Sequence, residues 1–399
     1  MRLVYVASGI VVPGSYGGST HTFEVAHGLA ALGHEVHVVA HHPARRVATF
    51  VRPHSVALEN FCLHYIDLPK PLSLLSYPQI ARLVRRIRPD ALIERYYNLA
   101  GAGMLAARRA KIPSLLEVNA LIVDPPAVFK RRLDDRLGSP LQRWAVAQCR
   151  MAARIVTPLH TTVPPQIPRD TIVELPWGAN VDRFRPRAEL AAEQPRLRAE
   201  LGIPPDRAVV VFLGSFRAWH GVGDFIAAGL RLLDAGENVQ MLLIGSGPER
   251  ATAEAATGRW RDRFSFAGSV AHDLVPRYLA LADVGVAPFN TAPHPALRAA
   301  GFFWSPLKIY EYMAMQIPVV TANIPPLDSI IRLGQEGELF REGDVADLAE
   351  AIRRVLRAPD RAAMGLRART RVVERYSWQR HCAELDCILQ AMTQERRGG

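Results

Sequence analysis

The segment 303–314 contains the residues best suited to bind an anion. Lys308 is one of only four lysines among 49 basic residues, and no other lysine follows position 130. Ser305 followed by Pro306 is typical of a helix N-terminus, with serine as the cap and proline at the first helical position. A lysine in the first turn opposes the helix dipole, because acidic residues are favoured there. The pattern indicates an anion bound by Lys308 and backbone N–H groups together.

Glu311 lies three residues after Lys308, so a helix would place both side chains on one face. A carboxylate at that position can accept hydrogen bonds from two vicinal hydroxyl groups, such as those of a ribose. The alternative is a plain surface ion pair, which is worth only about 0.2–0.5 kcal/mol. We interpret the pair as the phosphate and ribose contacts of a nucleotide.

Two glycine-rich loops follow apolar runs and are typical of phosphate binding. The first contains Gly17, Gly18 and Ser19 in front of a helical stretch. The second, 213–221, adds charge, because Arg217 and His220 can both donate hydrogen bonds to a phosphate. The alternatives are a tight turn for the first loop and a surface arginine for the second.

Several common classes lack their signatures in this sequence. Neither loop reads GxGxxG, the second strand ends in His41-His42 instead of an acidic residue, and no GxxxxGK[ST] pattern occurs, so a dehydrogenase or P-loop NTPase is poorly supported. The four cysteines form no CxxC pair, which makes a zinc site and a disulfide framework both improbable. No metal and no cofactor is expected on these grounds.

The elements that must position these residues alternate between strand and helix. Such alternation predicts two α/β domains, each a doubly wound parallel sheet with helices on both faces. The predicted strands of the first domain are 2–7, 35–40, 91–94, 114–118, 155–157 and 172–175, and those of the second are 208–213, 239–244, 264–266, 284–287 and 319–321. The clearest predicted helices are 21–32, 222–235, 345–357, 359–374 and 377–390.

The Pro- and charge-rich stretch 176–205 is interpreted as a linker between these domains. The domain limits are therefore 1–180 for the first domain, 181–372 for the second, and 373–399 for a terminal helix and tail. Ligands of open α/β sheets bind beyond the carboxyl ends of the strands, so the site is expected in a cleft between the two sheets.

Charge is distributed unevenly along the chain. The net charge is +11, and residues 1–175 contain 21 basic and 12 acidic residues, a net of +9. Such a bias favours an anionic partner, although an arginine-rich solvated surface is an equal alternative. No nucleic-acid signature accompanies the charge, so nucleic acid is not expected. No run of about 18 apolar residues and no secretory signal is present, which favours a cytoplasmic protein, with peripheral contact to an anionic membrane as one possibility.

Motifs along nearly the whole chain resemble those of glycosyltransferase family 4, whose members adopt the two-domain GT-B fold. The matching pieces are Gly17-Gly18-Ser19, Leu29 to Val36, Leu175-Pro176-Trp177-Gly178, Val181 to Pro186, the Gly214 loop, Ile244 to Glu249, Ala282-Asp283-Val284, Ser305 to Ala314 and Arg375 to Trp378. The chain is similar to the branch that carries Ser-Pro-Leu-Lys before a single glutamate. The resemblance implies that the terminal helix crosses back to the first domain.

The resemblance also implies a retaining, metal-independent transfer of a sugar from a nucleotide sugar, with the donor on the second domain and the acceptor on the first. Two family positions that grip the diphosphate correspond to Ser215 and His220, a departure, and we assign the role to Arg217, His220 and Lys308. Phe303 replaces a glutamate that contacts the donor sugar, and Asn119 stands near a histidine that contacts it. The catalytic candidates are Arg217, Lys308 and Glu311. The binding candidates are Gly17, Gly18, Ser19, Asn119, Gly214, Ser215, His220, Gly245, Gly247, Val270, Ser305 and Leu307.

The expected function is therefore sugar transfer from a UDP-sugar, or next a GDP-sugar, to a hydroxyl group of a glycan, a lipid-linked acceptor or a small molecule. Two alternatives remain open at this point. One is a nucleotide-sugar epimerase or hydrolase on the same fold, and the other is a non-catalytic subunit that binds sugar nucleotides.

Overall fold

The computed structural model describes residues 1–14, 17–43, 54–58 and 60–398. Ser15 and Tyr16 of the first glycine-rich loop lie outside the described residues. The chain divides into two compact units. Unit 1 comprises Met1–Trp177, Phe303–Ser305 and the residues from Trp378 on, and unit 2 comprises Gly178–Phe302 and Pro306–Ser377.

Unit 1 is built on an eight-stranded sheet with the order β3-β4-β2-β1-β5-β6-β7-β8. Every neighbouring pair is parallel except β3 and β4, which form an antiparallel edge. The strands are β1 (Arg2–Val11), β2 (Glu35–His41), β3 (His54–Leu58), β4 (Phe61–Tyr65), β5 (Ala91–Arg95), β6 (Ser114–Glu117), β7 (Arg154–Thr157) and β8 (Ile172–Glu174). The helices are α1 (Gly17–Ala31), α2 (Tyr77–Ile87), α3 (Ala102–Ala110), α4 (Phe129–Arg136) and α5 (Pro140–Met151), to which the last helix of the chain is added.

Apolar residues of the strands form a core with the helices that cover the sheet of unit 1. Val4 and Val6 of β1 pack against Ile80 and Val84 of α2 and against Ala106 of α3. Continuous apolar runs of this kind suit parallel strands that are covered on both faces.

Unit 2 is built on a six-stranded sheet, all parallel, with the order β11-β10-β9-β12-β13-β14. The helices α6 (Gln194–Glu200), α7 (Val222–Asp234), α8 (Arg250–Ala256), α9 (Val275–Leu279), α10 (Pro295–Ala300), α11 (Leu307–Ala314), α12 (Leu327–Ile330), α13 (Val345–Arg357) and α14 (Arg361–Arg375) accompany it. Its strands are β9 (Ala208–Leu213), β10 (Val239–Ile244), β11 (Phe264–Gly268), β12 (Val284–Ala287), β13 (Val319–Ala322) and β14 (Gly337–Phe340).

The last helix, α15 (Trp378–Gly398), belongs to unit 1 and packs along α1. Its Asp386 carboxylate lies 2.8 Å from the His34 imidazole that follows α1. The Cys382 Sγ lies against the backbone of α1, where Gly28 leaves room for it. The first unit along the chain is thus completed by the last segment of the chain.

The predicted fold of two doubly wound α/β domains is confirmed. Three features differ from the expectation. The hairpin of β3 and β4 and the edge strand β14 were not predicted. The stretch 176–205, interpreted as a linker, contains the short 3₁₀ helix Arg187–Glu193 and α6, and the Arg187 N–H donates to the Met315 carbonyl within unit 2.

Candidate functional site

Helix α11 presents Lys308 and Glu311 at the carboxyl end of β9. It is held there by Tyr312, whose hydroxyl oxygen accepts a hydrogen bond from the Leu213 N–H at 2.8 Å. Gly285 of β12 makes room for the Tyr312 ring, because a side chain at that position would collide with it. These packing contacts fix the direction in which the first turn of α11 points.

Lys308 forms a buried site with Gly214 and His220, which we call the lysine site. Its Nζ donates to the His220 Nδ1 at 3.2 Å and lies 4.4 Å and 4.8 Å from the ring centres of Phe212 and Phe289. The side chain is 7% exposed. In the part of the chain that the structure describes, no carboxylate lies within 4 Å of this nitrogen. Aromatic faces and a neutral imidazole are therefore its immediate surroundings.

Burial controls protonation at the lysine site. It lowers the pKa of Lys308 to about 7, with Glu311 opposing the shift. Burial, and then the charges of Lys308 and Arg217, lowers the pKa of His220 to about 2, so this imidazole is neutral. Because the lysine donates to Nδ1, the His220 proton is on Nε2. The site thus offers a cation and an N–H donor, and among the described residues no carboxylate is paired with the cation within 4 Å.

The three candidate glycines of unit 2 have different roles. Gly214 has a φ of 137°, and a Cβ there would lie 2.9 Å from the Lys308 Nζ and 3.1 Å from the His220 Nδ1. A Cβ on Gly245 or Gly247 would instead collide with the backbone of Gly214 or Phe216. Gly214 therefore opens the lysine site, whereas the other two let the loops after β9 and β10 pack together.

Further donor candidates belong to unit 2. Arg217 is exposed in the loop after β9, close enough to affect the His220 pKa, and its N–H donates to the Ser215 carbonyl at 3.0 Å. Val270 is half-buried after β11, and Leu307 is the first residue of α11.

Glu311 is bonded to a histidine that the sequence did not indicate. The His272 Nε2 donates to a Glu311 oxygen at 2.9 Å, and the His272 Nδ1 accepts from Arg183 at 3.0 Å. Glu311 is 7% exposed and does not form a surface pair with Lys308. The imidazole and the guanidinium together orient one oxygen of the carboxylate and leave the second available to a ligand.

The predicted helix cap at Ser305 is wrong. Helix α11 begins at Leu307, after Pro306, without a side-chain cap. The Ser305 Oγ instead accepts a hydrogen bond from the Trp177 N–H at 3.0 Å, which fixes it within unit 1. Phe303 is buried in unit 1, where its ring packs against the Trp304 ring with the two centres 4.9 Å apart. Its role is therefore a packing role.

In unit 1 the first glycine-rich loop leads into α1, which begins at Gly17. A Cβ on Gly18 would lie 3.7 Å from the Arg95 guanidinium, whereas Ser19 is buried and faces Gly14. The helix N-terminus and the arginine therefore adjoin each other at the carboxyl edge of the sheet.

A polar network that we call the glutamate cluster lies at the same edge, formed by Tyr5, His21, Arg95, Glu117 and Asn119. Glu117 accepts from the Tyr5 hydroxyl at 2.5 Å and from Arg95 at 2.7 Å, and Asn119 also donates to it. The pKa of Tyr5 is raised by burial and by Glu117. Since Arg95 and Glu117 are both nearly buried, the charge of the arginine is compensated where it lies.

His21 closes the glutamate cluster on one side. Its Nδ1 accepts from Arg95 at 2.9 Å, and its buried Nε2 has no partner among the described residues. Burial, Arg95 and His381 lower the pKa of His21, so the ring is neutral. The Trp177 ring packs against it at a tilt of 45°, with ring centres 4.3 Å apart, and donates its indole N–H to the Asn119 Oδ1 at 2.7 Å.

Glu94 is also buried and accepts hydrogen bonds from the N-terminus of α3. Its two oxygens accept the Gly101 N–H at 3.0 Å and the Met104 N–H at 2.6 Å, which satisfies the N-terminus of α3. Burial raises its pKa to about 7.

The structure thus brings Gly214, His220 and Lys308 together, and separately Gly17, Gly18 and Asn119 with residues that sequence reasoning missed. Arg95 and Glu117 each end a parallel strand, a placement that would have indicated them. His272 lies in an irregular loop and has no such signal. Among the described residues, no group of three or more His, Cys, Asp or Glu side chains is arranged to hold a metal ion.

Comparison with known families yields two matches along the chain. A model of glycosyltransferase family 4 matches residues 16–163, and a model of group 1 glycosyl transferases matches residues 207–358. The chain is 30% identical to 2-deoxystreptamine glucosyltransferase of Streptomyces kanamyceticus over 67% of both chains. It is 27% identical to D-inositol 3-phosphate glycosyltransferase of Nocardia farcinica, over 80% of this chain and 70% of the relative.

Solved structures share the fold over nearly the full length. Sucrose-phosphate synthase of Thermosynechococcus elongatus superposes with a TM-score of 0.71 and 18% identity, covering 99% of each chain. HepE of Anabaena, solved in complex with UDP, gives a TM-score of 0.69 and 17% identity, covering 98% of this chain and 100% of that one.

Proposed function

Because the chain belongs to the family 4 glycosyltransferases, we propose that it is a retaining enzyme that transfers a sugar from a nucleoside diphosphate sugar to an acceptor hydroxyl group. The observation that carries this proposal is the lysine site, a buried cation beside a neutral imidazole with no carboxylate. A UDP-sugar is the favoured donor and a GDP-sugar the second. The protein is expected to act in the cytoplasm.

The diphosphate is the leaving group, and its negative charge grows as the bond to the sugar breaks. Fixed cations and N–H groups stabilise such charge best where water is excluded. Lys308 would supply the buried cation, His220 an Nε2–H donor, and Arg217 a guanidinium from the exposed side of the loop. The N-terminus of α11 adds its backbone N–H groups. These charges take the place of a metal ion in the proposal.

Glu311 would bind the ribose through the oxygen that His272 leaves available. A carboxylate is an acceptor only, so it is suited to the two hydroxyl groups of a ribose. His272 and Arg183 would act as positioning residues, because both reach the ligand only through Glu311.

The acceptor is assigned to the carboxyl edge of the unit 1 sheet, where Gly18 and the glutamate cluster lie. Glu94 caps α3 and Glu117 compensates Arg95, so neither is placed to act as a general base. In the proposed step the sugar–phosphate bond breaks, the acceptor oxygen bonds the anomeric carbon on the same face, and the acceptor proton passes to the leaving phosphate oxygen. No carboxylate pair is needed for this route.

The test is a two-stage assay of the full chain. Thermal shifts with UDP, GDP, ADP and dTDP identify the base, because binding stabilises the protein by RT ln(1 + [L]/Kd), so the tightest ligand gives the largest shift at equal concentration. The matching nucleotide sugars are then incubated with candidate acceptors, with and without EDTA, and the anomeric configuration of the product is read by NMR. A retained anomer that forms with EDTA present is the expected result. Free sugar as the main product would indicate a hydrolase, and binding without any product a non-catalytic subunit.

The relatives differ in the acceptors that their names specify, so the acceptor class of this protein has to be inferred from its own surface. The names of two relatives specify 2-deoxystreptamine and D-inositol 3-phosphate, and a third, at 20% identity, is an alpha-monoglucosyldiacylglycerol synthase of Acholeplasma laidlawii. A small polyol and a lipid-linked acceptor are both covered by the proposal. No nucleic acid is expected.

Peripheral contact with an anionic membrane is part of this proposal. No helix in the described ranges is long and apolar enough to cross a bilayer. Helix α4 instead exposes Phe129, Leu133 and the following Leu137, spaced four residues apart, and Phe129 is 72% exposed. Lys130 and Arg132 are interleaved with them, and a basic apolar face of this kind suits an anionic lipid surface.

Vesicle co-sedimentation tests the membrane contact. We expect binding to vesicles with anionic lipid that weakens with salt, and a large loss in the Phe129→Ser/Leu133→Ser variant. Leu366→Ser, which removes an exposed leucine of unit 2, is the matched control and should bind as wild type. Equal binding by both variants would remove α4 from the proposal.

A further inference from the structure

A cavity with two arginines in its lining lies in unit 1, on the side of the sheet where β3 and β4 pair. It has a volume of about 160 Å³ and shares no residue with the glutamate cluster. It is enclosed by α2, by β3 and by β4 with the residue that follows it, and the lining consists of Ser55, His64, Ile66, Gln79, Arg82, Leu83 and Arg86. The cavity is large enough for a phosphate group and the beginning of its substituent.

One face of α2 supplies the positive charge. Gln79, Arg82 and Arg86 follow one another at spacings of three and four residues, so all three project to the same side of the helix. Two like charges four residues apart destabilise a helix slightly unless an anion lies between them. Among the residues that the structure describes, no carboxylate is paired with either guanidinium. Arg82 and Arg86 therefore line a cavity.

The opposite wall is a chain of hydrogen bonds. The exposed Glu35 carboxylate lies 2.9 Å from the His37 Nε2, the His37 Nδ1 lies 3.0 Å from the His64 Nε2, and the His64 Nδ1 lies 2.8 Å from the Ser55 Oγ. Both ring nitrogens of His64 are thus engaged, and the ring is 4% exposed. Burial, His37 and Arg86 lower the pKa of His64 to about 4, so it is neutral and the two arginines alone carry the charge of the cavity.

The side chain of Gln79 has an unsatisfied polar atom in the wall of the cavity. Its Oε1 is buried and has no hydrogen bond among the described residues. An unsatisfied buried oxygen destabilises the protein, so a ligand group that supplies an O–H or N–H is expected there. The combination calls for a ligand with negative charge toward the arginines and a hydroxyl group toward the amide.

We propose that this cavity binds the phosphate group of a hydroxyl-bearing phosphomonoester, with Arg82 and Arg86 on the phosphate oxygens and Gln79 accepting from a hydroxyl group. Guanidinium groups bind phosphate in a bidentate manner, which a chloride ion cannot exploit. Ser55, which is exposed and hydrogen-bonded to His64, also lines the cavity. The site is independent of the proposed sugar transfer, because no donor or acceptor candidate lines it.

Such a phosphomonoester can be a soluble molecule or a lipid headgroup, and the experiment separates these sources. The full chain is titrated by calorimetry with inorganic phosphate and with glycerol 1-phosphate, with ionic strength held constant by NaCl. In parallel, its sedimentation is compared on vesicles that contain either phosphatidic acid or phosphatidylserine at equal surface charge. Binding of glycerol 1-phosphate without a preference for phosphatidic acid assigns the soluble source, and such a preference assigns the lipid.

Matched variants locate the site. Arg82→Gln and Arg86→Gln should each raise the Kd for glycerol 1-phosphate at least about tenfold, and Gln79→Leu at least about threefold. Arg85→Gln removes the same charge from the same helix at a position outside the cavity, and it should change the Kd less than twofold. Lys308→Ala, which affects the phosphate-binding candidate of unit 2, should leave this Kd unchanged.

Three results would overturn the proposal. One is the loss of binding in Lys308→Ala together with full binding in Arg82→Gln and Arg86→Gln, which places the ligand in unit 2. Another is the absence of binding up to about 10 mM glycerol 1-phosphate with no preference for phosphatidic acid. Equal losses in Arg85→Gln and Arg86→Gln would reduce the effect to general surface charge and would overturn it as well.

Discussion

The lysine site and the glutamate cluster each contain a buried cation near the carboxyl end of a parallel strand, and the surroundings of the two cations differ in charge. Arg95 of unit 1 lies 2.7 Å from Glu117 and is compensated within the protein. Lys308 of unit 2 faces a neutral histidine and two aromatic rings. Removing the partner of a compensated buried cation destabilises the protein, whereas a buried cation without a carboxylate partner is typical of a functional site. The difference supports the proposal that unit 2 binds the anionic substrate.

The largest effect is expected from breaking the compensation in unit 1. Glu117→Gln removes the negative charge that compensates the buried Arg95 and replaces one of the two acceptor oxygens by an NH2 group. We expect a loss of about 3–5 kcal/mol in the free energy of unfolding of unit 1. Urea denaturation measures it. Glu395→Gln breaks an exposed pair with Arg154 and should cost less than about 1 kcal/mol. A loss below 1 kcal/mol in Glu117→Gln would contradict the contrast between the two units.

The same comparison predicts that Lys308 contributes to activity and not to stability. Lys308→Ala should lower kcat by about 10²–10³-fold, the scale of one lost donor to a developing anion. Lys308→Met should leave the free energy of unfolding unchanged or higher, because a buried charge is removed.

Steady-state kinetics test the predicted loss of kcat, and urea denaturation of the same preparations tests the predicted free energy of unfolding. Lys111→Ala, at an exposed lysine of unit 1, serves as the control. Arg217→Ala should show a smaller effect, about tenfold, because its side chain is exposed. A change of less than threefold in both Lys308→Ala and Arg217→Ala would reject the assignment of the diphosphate site.

Glu311 and His272 test whether unit 2 binds the ribose. Glu311→Gln should weaken nucleoside diphosphate binding by about 1.5–3 kcal/mol, the usual contribution of a charge-assisted hydrogen bond. His272→Ala should weaken it less, and it should have no further effect in the Glu311→Gln background, because it acts through Glu311. Calorimetry of the double-mutant cycle gives the answer. Additive losses would mean that His272 contacts the ligand itself.

The smallest expected effect is a pH dependence of unit 2. Below its pKa of about 7, Lys308 is the ammonium that binds a diphosphate, and above it the side chain is neutral. Affinity for the nucleoside diphosphate should therefore fall about tenfold between pH 6 and pH 8. Lys308→Arg stays charged throughout, so it reports the titration of the ligand alone. Parallel profiles of the two proteins would show that Lys308 does not titrate in this range.

The parts of the fold that the sequence predicted are those with continuous apolar runs. The bounds of β9, β10 and β12 agree with the prediction, because parallel strands buried on both faces are uniformly apolar. The edge strands β3 and β14 were missed, since they are short and include polar residues such as His54 and Glu338. Edge strands are only partly buried, so their composition carries a weaker signal.

The candidate site was predicted to the extent that its residues are local in sequence. Lys308 and Glu311 stand out because a lysine is rare here and the helix spacing is short. The pairing of Lys308 with His220 and of Glu311 with His272 depends on packing between elements that lie 88 and 39 residues apart in sequence. A local rule predicts Ser305 as the helix cap, but its role is determined instead by a tertiary contact, the hydrogen bond from the Trp177 N–H.

The position of α15 has a consequence for biosynthesis. A ribosome releases unit 1 first, yet the face of α1 that α15 covers stays open until residue 378 and those after it have emerged. Unit 2 is then already synthesised in full. The first unit to be translated is thus the last to be completed, and a truncation at residue 377 would damage the half of the protein that lies farthest from it along the chain.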